Sequence, residues 1–490
     1  MKKVLALILA IAMTIATTVT AFAAETFTIT INNNKEGHTY EAYQIFAGNL
    51  SADGKLSNIV WGSGIADGEA TFGKAEEKAA ALTEENAVAF AEEAAKHLGT
   101  AAGTSTFADG KYTIAGLQPG YYLIKDKDNT LTSDDDSYTN YILKVVSNVE
   151  ATPKSDTPKV EKKVKDIDDS TETELGAWQD SADHDIGDDV PFQLTGTLPK
   201  NYDTYDTYTY IFHDTLSAGL TYNNDAKVYV VNGSEKTDVT ESFSINATGT
   251  ELTVSTTNLK AITDPAITST SKIVVEYTAE LNTNAVLGSA GNPNKVYLEY
   301  SNNPNQDGEG GNDETGKTPE DKVIVFTYKT VVNKVDGTGA PLTGAEFTLE
   351  KEIAGKDGQE ATWTQIAVVK NEAGTEFTFK GLDDGKYRLT ETVTPEGYNT
   401  IKPVEFRVTG THEVDSEDPK LTALNGEAIT GTIDLTANLA EGSLTTSIVN
   451  KAGSVLPSTG GIGTTIFYVV GGILMVGAAI VLAARKRVEA

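Results

Sequence analysis

An all-β chain of tandem β-sandwich units is what this sequence predicts, and three observations carry it. Most of the chain reads as short runs of alternating apolar and polar residues separated by Gly, Asn and Asp turns, the pattern of half-buried strands. Phe27–Ile31 and residues 227–231, 272–277 and 347–349 are examples. The stretch between the two chain ends is about 436 residues, enough for three ordinary domains. One apolar run sits at each end, outside that stretch.

Each element has its own justification. Lys2 and Lys3 precede an apolar run over 4–16, and Ala21-Phe22-Ala23 has the small-x-small form of a signal-peptidase site. Residues 1–23 are therefore expected to be a signal peptide, with the mature chain beginning near Ala24. Residues 74–98, rich in Ala and Glu at helical spacing, predict one helix inserted in the first unit, with Thr83 as N-cap and Gly99 as stop. Two prolines around a polar turn at 151–158 mark one boundary. The 21 residues of 301–321, almost free of apolar side chains, mark a second as a linker or a long exposed loop. The chain divides into 24–153, 154–320 and 321–455, followed by a terminal segment, 456–490. In that segment, 466–484 is nineteen almost unbroken apolar residues. As a helix at about 1.5 Å per residue it reaches roughly 28 Å, the thickness of a bilayer's hydrocarbon core. Arg485, Lys486 and Arg487 behind it would stay cytoplasmic.

Composition excludes several classes. The chain carries −31, and because each terminal segment expected to be removed carries +2, the mature product stands near −35. So acidic a chain is repelled by nucleic acid. There is no cysteine, so an exported protein of this length forgoes disulfides. His38, His97, His184, His213 and His412 are scattered without ligand spacing. No metal, cofactor or phosphate-loop pattern is present, and no catalytic pairing of acids is recognisable. Residues 110–124 share a rhythm with 377–389, a weak internal echo between the first and third units.

Leu456, Pro457, Ser458, Thr459 and Gly460, just before the apolar run, resemble the LPxTG sorting signal of Gram-positive surface proteins. The resemblance implies cleavage between Thr459 and Gly460 by a sortase, which passes the Thr459 acyl group to an amine. The third unit resembles the CNA-B type of immunoglobulin-like domain, on Asn333-Lys334-Val335-Asp336, Pro341-Leu342-Thr343-Gly344-Ala345-Glu346-Phe347 and Glu391 with Pro395-Glu396-Gly397-Tyr398. It implies an intramolecular isopeptide bond between Lys334 and Asn450, assisted by Glu391. Burial lowers a lysine pKa and raises that of a carboxylic acid, so a neutral amine can attack the Asn carbonyl while the acid polarises it and helps ammonia leave.

The middle unit resembles the isopeptide-forming domain of fimbrial shaft proteins, on Pro158-Lys159-Val160-Glu161-Lys162, Asp214 with Gly219-Leu220, and Gly291-Asn292-Pro293-Asn294. Strand alternation puts Lys162 on the face of Val160 and Val164, with Lys163 outward. Lys162 is the expected nucleophile and Asp214 the acid. Asn294 is the expected acceptor, with Asn302 on the same strand face left open. Such bonds would tie first strands to last strands. Thr152-Pro153-Lys154 resembles the pilin motif, with Thr152 where the family usually has Tyr. It implies Lys154 as the amine joined to the sorting Thr459 of another copy.

Together these imply a major pilin, the shaft subunit of a sortase-assembled pilus, secreted and anchored in the cell wall. The implied partners are further copies of the chain, a class C (pilin) sortase, the housekeeping sortase and peptidoglycan, tip and base pilins, and host surface ligands. The self-crosslinking is single-turnover chemistry and does not make the chain an enzyme. The alternative is a monomeric wall-anchored adhesin in which Lys154 is idle.

Overall fold

The computed structural model describes residues 26–51, 55–83, 86–139, 142–145, 148–152, 156–171, 176–304, 314–355, 359–453 and 462–488. Among the described residues the strands form six sheets, two for each of three successive parts of the chain.

In the first part, Phe27–Ile31 lies between Lys111–Leu117 (antiparallel, Ile29 opposite Ile114) and Val149–Ala151 (parallel, Ile29 opposite Val149). The facing sheet runs Leu56–Trp61, Tyr40–Leu50, Gly120–Asp126, Ile142–Val145. Ile29, Ile31, Tyr40, Tyr112, Ile114 and Ile124 fill the space between them. The single helix expected over 74–98 is broken. Ala75–Ala81 and Ala87–Ala95 are separate, and Gly68–Phe72 precedes them. The break has a local cause. Leu82 turns extended, and the Asn86 side chain accepts from Thr83 N (2.7 Å) and donates to Ala81 O (2.9 Å), satisfying the groups a continuous helix would have used. Thr83 is therefore not the N-cap; Asn86 holds that position.

The internal echo has a structural counterpart. Lys111–Leu117 and Gly120–Asp126 belong to opposite sheets, as do Glu376–Leu382 and Gly385–Val393. In both, the chain changes sheets through a glycine of positive φ, Gly116 (76°) and Gly381 (79°), a conformation that a Cβ would strain.

The middle part packs a sheet ordered Trp178–Gln179, Val160–Lys165, Asp189–Gly196, Lys272–Leu281, Lys227–Asn232, Glu235–Asp238 against a second sheet. That second sheet runs Ser181–Asp183, Asp321–Phe326, Asn292–Ser301, Tyr210–Leu216, Glu251–Thr256, Ser244–Thr248. Two expectations change here. Asp321–Phe326, assigned by sequence to the third unit, pairs with Asn292–Ser301 and completes the middle one. Of the expected linker or exposed loop over 301–321, the described residues 301–304 and 314–321 do not form a free tether between units. Thr315–Lys317 returns antiparallel on Asn292–Ser301, and Lys317 N and Tyr138 N bond Asp134 O and Asn302 O, tying this hairpin to the first part.

The third part sets Val368–Lys370, Glu376–Leu382, Tyr328–Asp336, Ser443–Asn450, Thr436–Asn438 against Thr362–Ile366, Glu346–Ile353, Gly385–Val393, Val404–His412, Leu421–Thr430. Phe347, Leu349, Phe377, Phe379, Tyr387, Leu389 and Phe406 make its core. Beyond it, Ile462–Val488 is a helix with Phe467, Tyr468, Leu474 and Met475 exposed. No helix among the described residues is long and apolar enough to cross a membrane. The expected span, 466–484, runs two residues past the part of this helix whose side chains are described, 466–482.

Two buried charge clusters hold these parts. In the first, His38 Nδ1 lies 3.1 Å from both oxygens of Asp126 and Nε2 lies 3.2 Å from Asp136, which also meets Lys35 (3.1 Å). Burial alone would lower the His38 pKa, but the two carboxylates outweigh it and raise it to about 9. Because the folded value exceeds the unfolded 6.5, this contribution is complete below pH 6.5 and is lost as pH rises through about 9. Melting curves of the mature chain should show a first-unit transition that falls in temperature across that window, with His38→Gln removing the dependence.

The second cluster closes the joint between the middle and third parts. Lys351, 1% exposed, reaches Asp383 (2.5 Å) of its own part and Asp185 (2.6 Å) and Asp169 (3.4 Å) of the middle one. Burial opposes its charge, but the three carboxylates prevail and raise its pKa. Lys351→Met strands buried carboxylates without a counter-ion and should cost about 3–5 kcal/mol. Denaturant unfolding of the mature chain would read this as a lowered midpoint for the third unit.

Candidate functional site

Strand alternation sends alternate side chains of Val160–Lys165 inward. Lys162 points into the middle core, fully buried, while Lys163 turns out to Asp180 (2.6 Å). Tyr210–Leu216 and Asn292–Ser301 are neighbours in the opposite sheet, with Leu216 opposite Asn294 and Asp214 opposite Val296. Asp214 and Asn294 are also fully buried.

Four side chains meet between the sheets. Lys162 Nζ donates to Asp214 Oδ2 at 2.6 Å and to the Tyr277 hydroxyl at 3.1 Å. Tyr277 donates to Asp214 Oδ2 at 2.7 Å and accepts from Asn294 Nδ2 at 2.7 Å. The Phe192 and Tyr277 rings stand 5.4 and 5.5 Å from the ammonium. Burial lowers the Lys162 pKa to about 8 despite Asp214, and burial raises that of Asp214 despite Lys162. Proton transfer across the 2.6 Å contact gives a neutral amine and a carboxylic acid, the forms that amide chemistry needs.

The third part holds a second cluster, on different topology. Tyr328–Asp336 and Ser443–Asn450 pair in parallel, Lys334 opposite Ile448 and Asp336 opposite Asn450, so Lys334 and Asn450 share the inward face. Glu391 comes from Gly385–Val393 in the facing sheet. Its Oε1 accepts from Asn450 Nδ2 at 2.7 Å and lies 4.0 Å from Lys334 Nζ, while Oε2 accepts from Ile401 N at 3.0 Å. Lys334 Nζ donates to Ile448 O at 3.0 Å. Burial lowers the Lys334 pKa, opposed by Glu391.

Asn302 sits elsewhere. Eight residues beyond Asn294, at about 3.4 Å each, it lies roughly 27 Å along the chain, at the contact with the first part. The strand-to-strand expectation needs correcting for the middle unit. Asn294 is on the penultimate long strand, and Asp321–Phe326 follows it. Pro153, Lys154 and Ser155, and the sorting residues Leu456, Pro457, Ser458, Thr459 and Gly460, lie outside the described residues.

Sequence reasoning missed Tyr277. Alternation along Lys272–Leu281 does place it inward with Val275 and Ala279, and a buried tyrosine hydroxyl needs a partner. Which partner it finds depends on the opposite sheet. Reasoning from spacing also missed two groups able to offer ligand atoms to a metal ion, Asp166–Asp183–His412 and Asp169–Asp185–Asp188–Asp383. Their members come from separate segments, and in the second the Lys351 ammonium is the cation.

Comparison with known proteins bears on the same segments. Residues 186–304 match the family model of a Gram-positive pilin backbone subunit 2, Cna-B-like domain. Residues 329–420 match SpaA, a prealbumin-like fold domain, and 448–490 match the LPXTG cell wall anchor motif. The chain is 27% identical over 422 residues, covering 73% of each protein, to the trypsin-resistant surface T6 protein of Streptococcus pyogenes serotype M6. Its fold is similar to the solved structure of the T6 backbone pilin of serotype M6 Streptococcus pyogenes, with a TM-score of 0.56 and 21% identity, over 89% of this chain and 100% of that one.

Serial sandwiches ending in a wall-anchor motif define a structural protein of the bacterial surface, not an enzyme. The segments matched in the chain are those of a backbone pilin subunit of a Gram-positive, sortase-assembled, cell-wall-anchored pilus.

Proposed function

We propose that this pilin is the repeating shaft subunit, joined to further copies by a class C sortase that cleaves after Thr459 and transfers its acyl group to Lys154. The precursor would be exported by residues 1–23, held briefly in the membrane by the helix within 466–484, and retained by Arg485, Lys486 and Arg487. The housekeeping sortase would attach the finished polymer to peptidoglycan, with tip and base pilins at its ends. Three immunoglobulin-like units would stack along the shaft, bounded near 24–153, 154–320 and 321–455 apart from the strand Asp321–Phe326.

Within the shaft, Lys162–Asn294 and Lys334–Asn450 would form intramolecular amides, helped by Asp214 and Glu391. The observation that carries this reading is that each of the two larger units buries a lysine beside a buried acid and a buried asparagine. In a chain without cysteine, an amide gives covalent reinforcement that needs no oxidant. By the loop-entropy argument used for disulfides, closing a loop of roughly 120 residues contributes about 5 kcal/mol.

Three measurements test this. The intact mass of residues 24–459 should fall by about 17 Da per amide, the mass of the ammonia expelled, and Glu391→Ala should restore one such loss. An unshifted mass would remove both amides at once. Peptide mapping should find Lys162 in a branched peptide with the Asn294 segment; a branch to Asn302 or from Lys163 would redraw the middle site. In cells making the matching sortase, Lys154→Ala should collapse the detergent-resistant ladder to a wall-linked monomer, and Thr459→Ala should abolish ladder and wall linkage alike. A normal ladder from Lys154→Ala would move the acceptor to another lysine, with Lys159 and Lys163 next. A wild-type chain that makes no ladder would be the monomeric adhesin.

A further inference from the structure

The two clusters differ in how the acid reaches the amide nitrogen that must leave. In the third unit Glu391 touches Asn450 Nδ2 directly, at 2.7 Å. In the middle unit the acid is an aspartate, one methylene shorter, and Asn294 Nδ2 meets the Tyr277 hydroxyl instead. That hydroxyl is fully engaged. It accepts from Lys162 Nζ and Asn294 Nδ2 and donates to Asp214 Oδ2. Tyr277 therefore touches the attacking nitrogen, the departing nitrogen and the acid, all buried away from water that could otherwise carry a proton.

We infer that Tyr277 is a catalytic residue of the middle unit's amide formation, relaying a proton from Asp214 to the departing Asn294 nitrogen. The inference rests on the proposed Lys162–Asn294 bond and adds to it the path of the proton. Lys162 first gives a proton to Asp214, leaving an amine and a carboxylic acid. Lys162 Nζ attacks Asn294 Cγ, forming the new C–N bond and a tetrahedral centre. The Tyr277 hydroxyl passes its proton to Asn294 Nδ2 as it takes one from the Asp214 carboxyl. The Cγ–Nδ2 bond breaks, ammonia leaves, and the surplus proton on Nζ returns to Asp214. Every proton is accounted for, and acid and tyrosine end as they were before the attack.

Burial fits this role. The Tyr277 pKa is raised well above its ordinary value by burial first and by Asp214 next, so the phenol stays protonated and relays a proton without resting as phenolate. The Phe192 ring stacked on Tyr277 at 5.4 Å holds the phenol plane in place.

The test compares the mature chain, residues 24–459, with Tyr277→Phe and with Tyr277→Phe combined with Asp214→Glu. Intact mass and branched-peptide mapping are followed during cell-free synthesis. The wild type should lose two ammonia equivalents, about 34 Da. Tyr277→Phe should lose one, keeping the Lys334–Asn450 branch as an internal control while the Lys162–Asn294 branch forms at least about tenfold more slowly. The double variant, whose longer acid reproduces the direct contact of the third unit, should recover the branch. A purely structural role for Tyr277 predicts no such rescue. Full crosslinking of Tyr277→Phe at the wild-type rate overturns the relay. A wild-type chain without the middle branch overturns the bond itself, a result distinguishable from the first. If Tyr277→Phe does not fold, 3,5-difluorotyrosine at 277 keeps the ring and hydroxyl but makes the phenol more acidic. The pH at which the middle branch forms fastest should then move down, and an unmoved profile overturns the relay.

Discussion

A lysine ammonium inside a β-sandwich costs several kcal/mol unless it is surrounded by carboxylates or gives up its proton. The middle and third units are each arranged around that constraint. Lys162 faces one acid between two aromatic rings, and its pKa falls to about 8. Lys334 has its one acid at 4.0 Å, and its pKa falls too. Lys351 meets three carboxylates, and its pKa rises. All three are almost wholly buried, so depth does not separate them. The number of acids in contact with the ammonium does: one leaves a lysine poised to become a nucleophile, and three fix it as a cation that pins two units together.

Topology then sets what each proposed amide would protect. In the third unit, Lys334 and Asn450 sit on adjacent parallel strands, the first and last of the sandwich. Tension entering at one end would cross to the other without loading the sheets between. In the middle unit the pair spans from one sheet to the other, and Asn294 is followed by the hairpin through Thr315–Lys317 and by Asp321–Phe326. Force leaving Asn294 would still run through those strands. Their hydrogen bonds to Asn292–Ser301, the bonds of the hairpin to the first part and the Lys351 cluster at the far joint lie on that path. With the proposed amide in place, the unit would be covalently closed across its core and held by ordinary pairing at its exit.

The same acid-rich composition serves two ends. On the surface it keeps the chain charged and repelled from other polyanions. At the joint it is drawn inward, where Asp169, Asp185 and Asp383 share one ammonium and His412 approaches Asp166 at 3.5 Å. The domain boundary is therefore a charge-paired contact, not a loose tether.

The sequence by itself determined what depends on local order. Period-2 alternation separated Lys162 from Lys163. Turn residues marked the strands. The pentapeptide, apolar run and basic cluster announced the wall anchor that the family match reports over 448–490. Sequence failed where a residue's role depends on a partner from another strand. It read 301–321 as a possible linker, because polar residues look alike in a hairpin and in a loop. It placed 321–326 in the wrong unit, because a strand's sheet is set by its neighbours and not by its own pattern. It drew one helix where the Asn86 side chain makes two. It chose Asn294 but left Asn302 open, because alternation repeats every two residues and cannot say how far along a strand the opposite lysine lies. It passed over Tyr277, whose inward position was legible but whose three partners come from three other strands. Only tertiary structure decides such matters, because hydrogen bonds and proton transfers act over about 3 Å in space, whatever the distance along the chain.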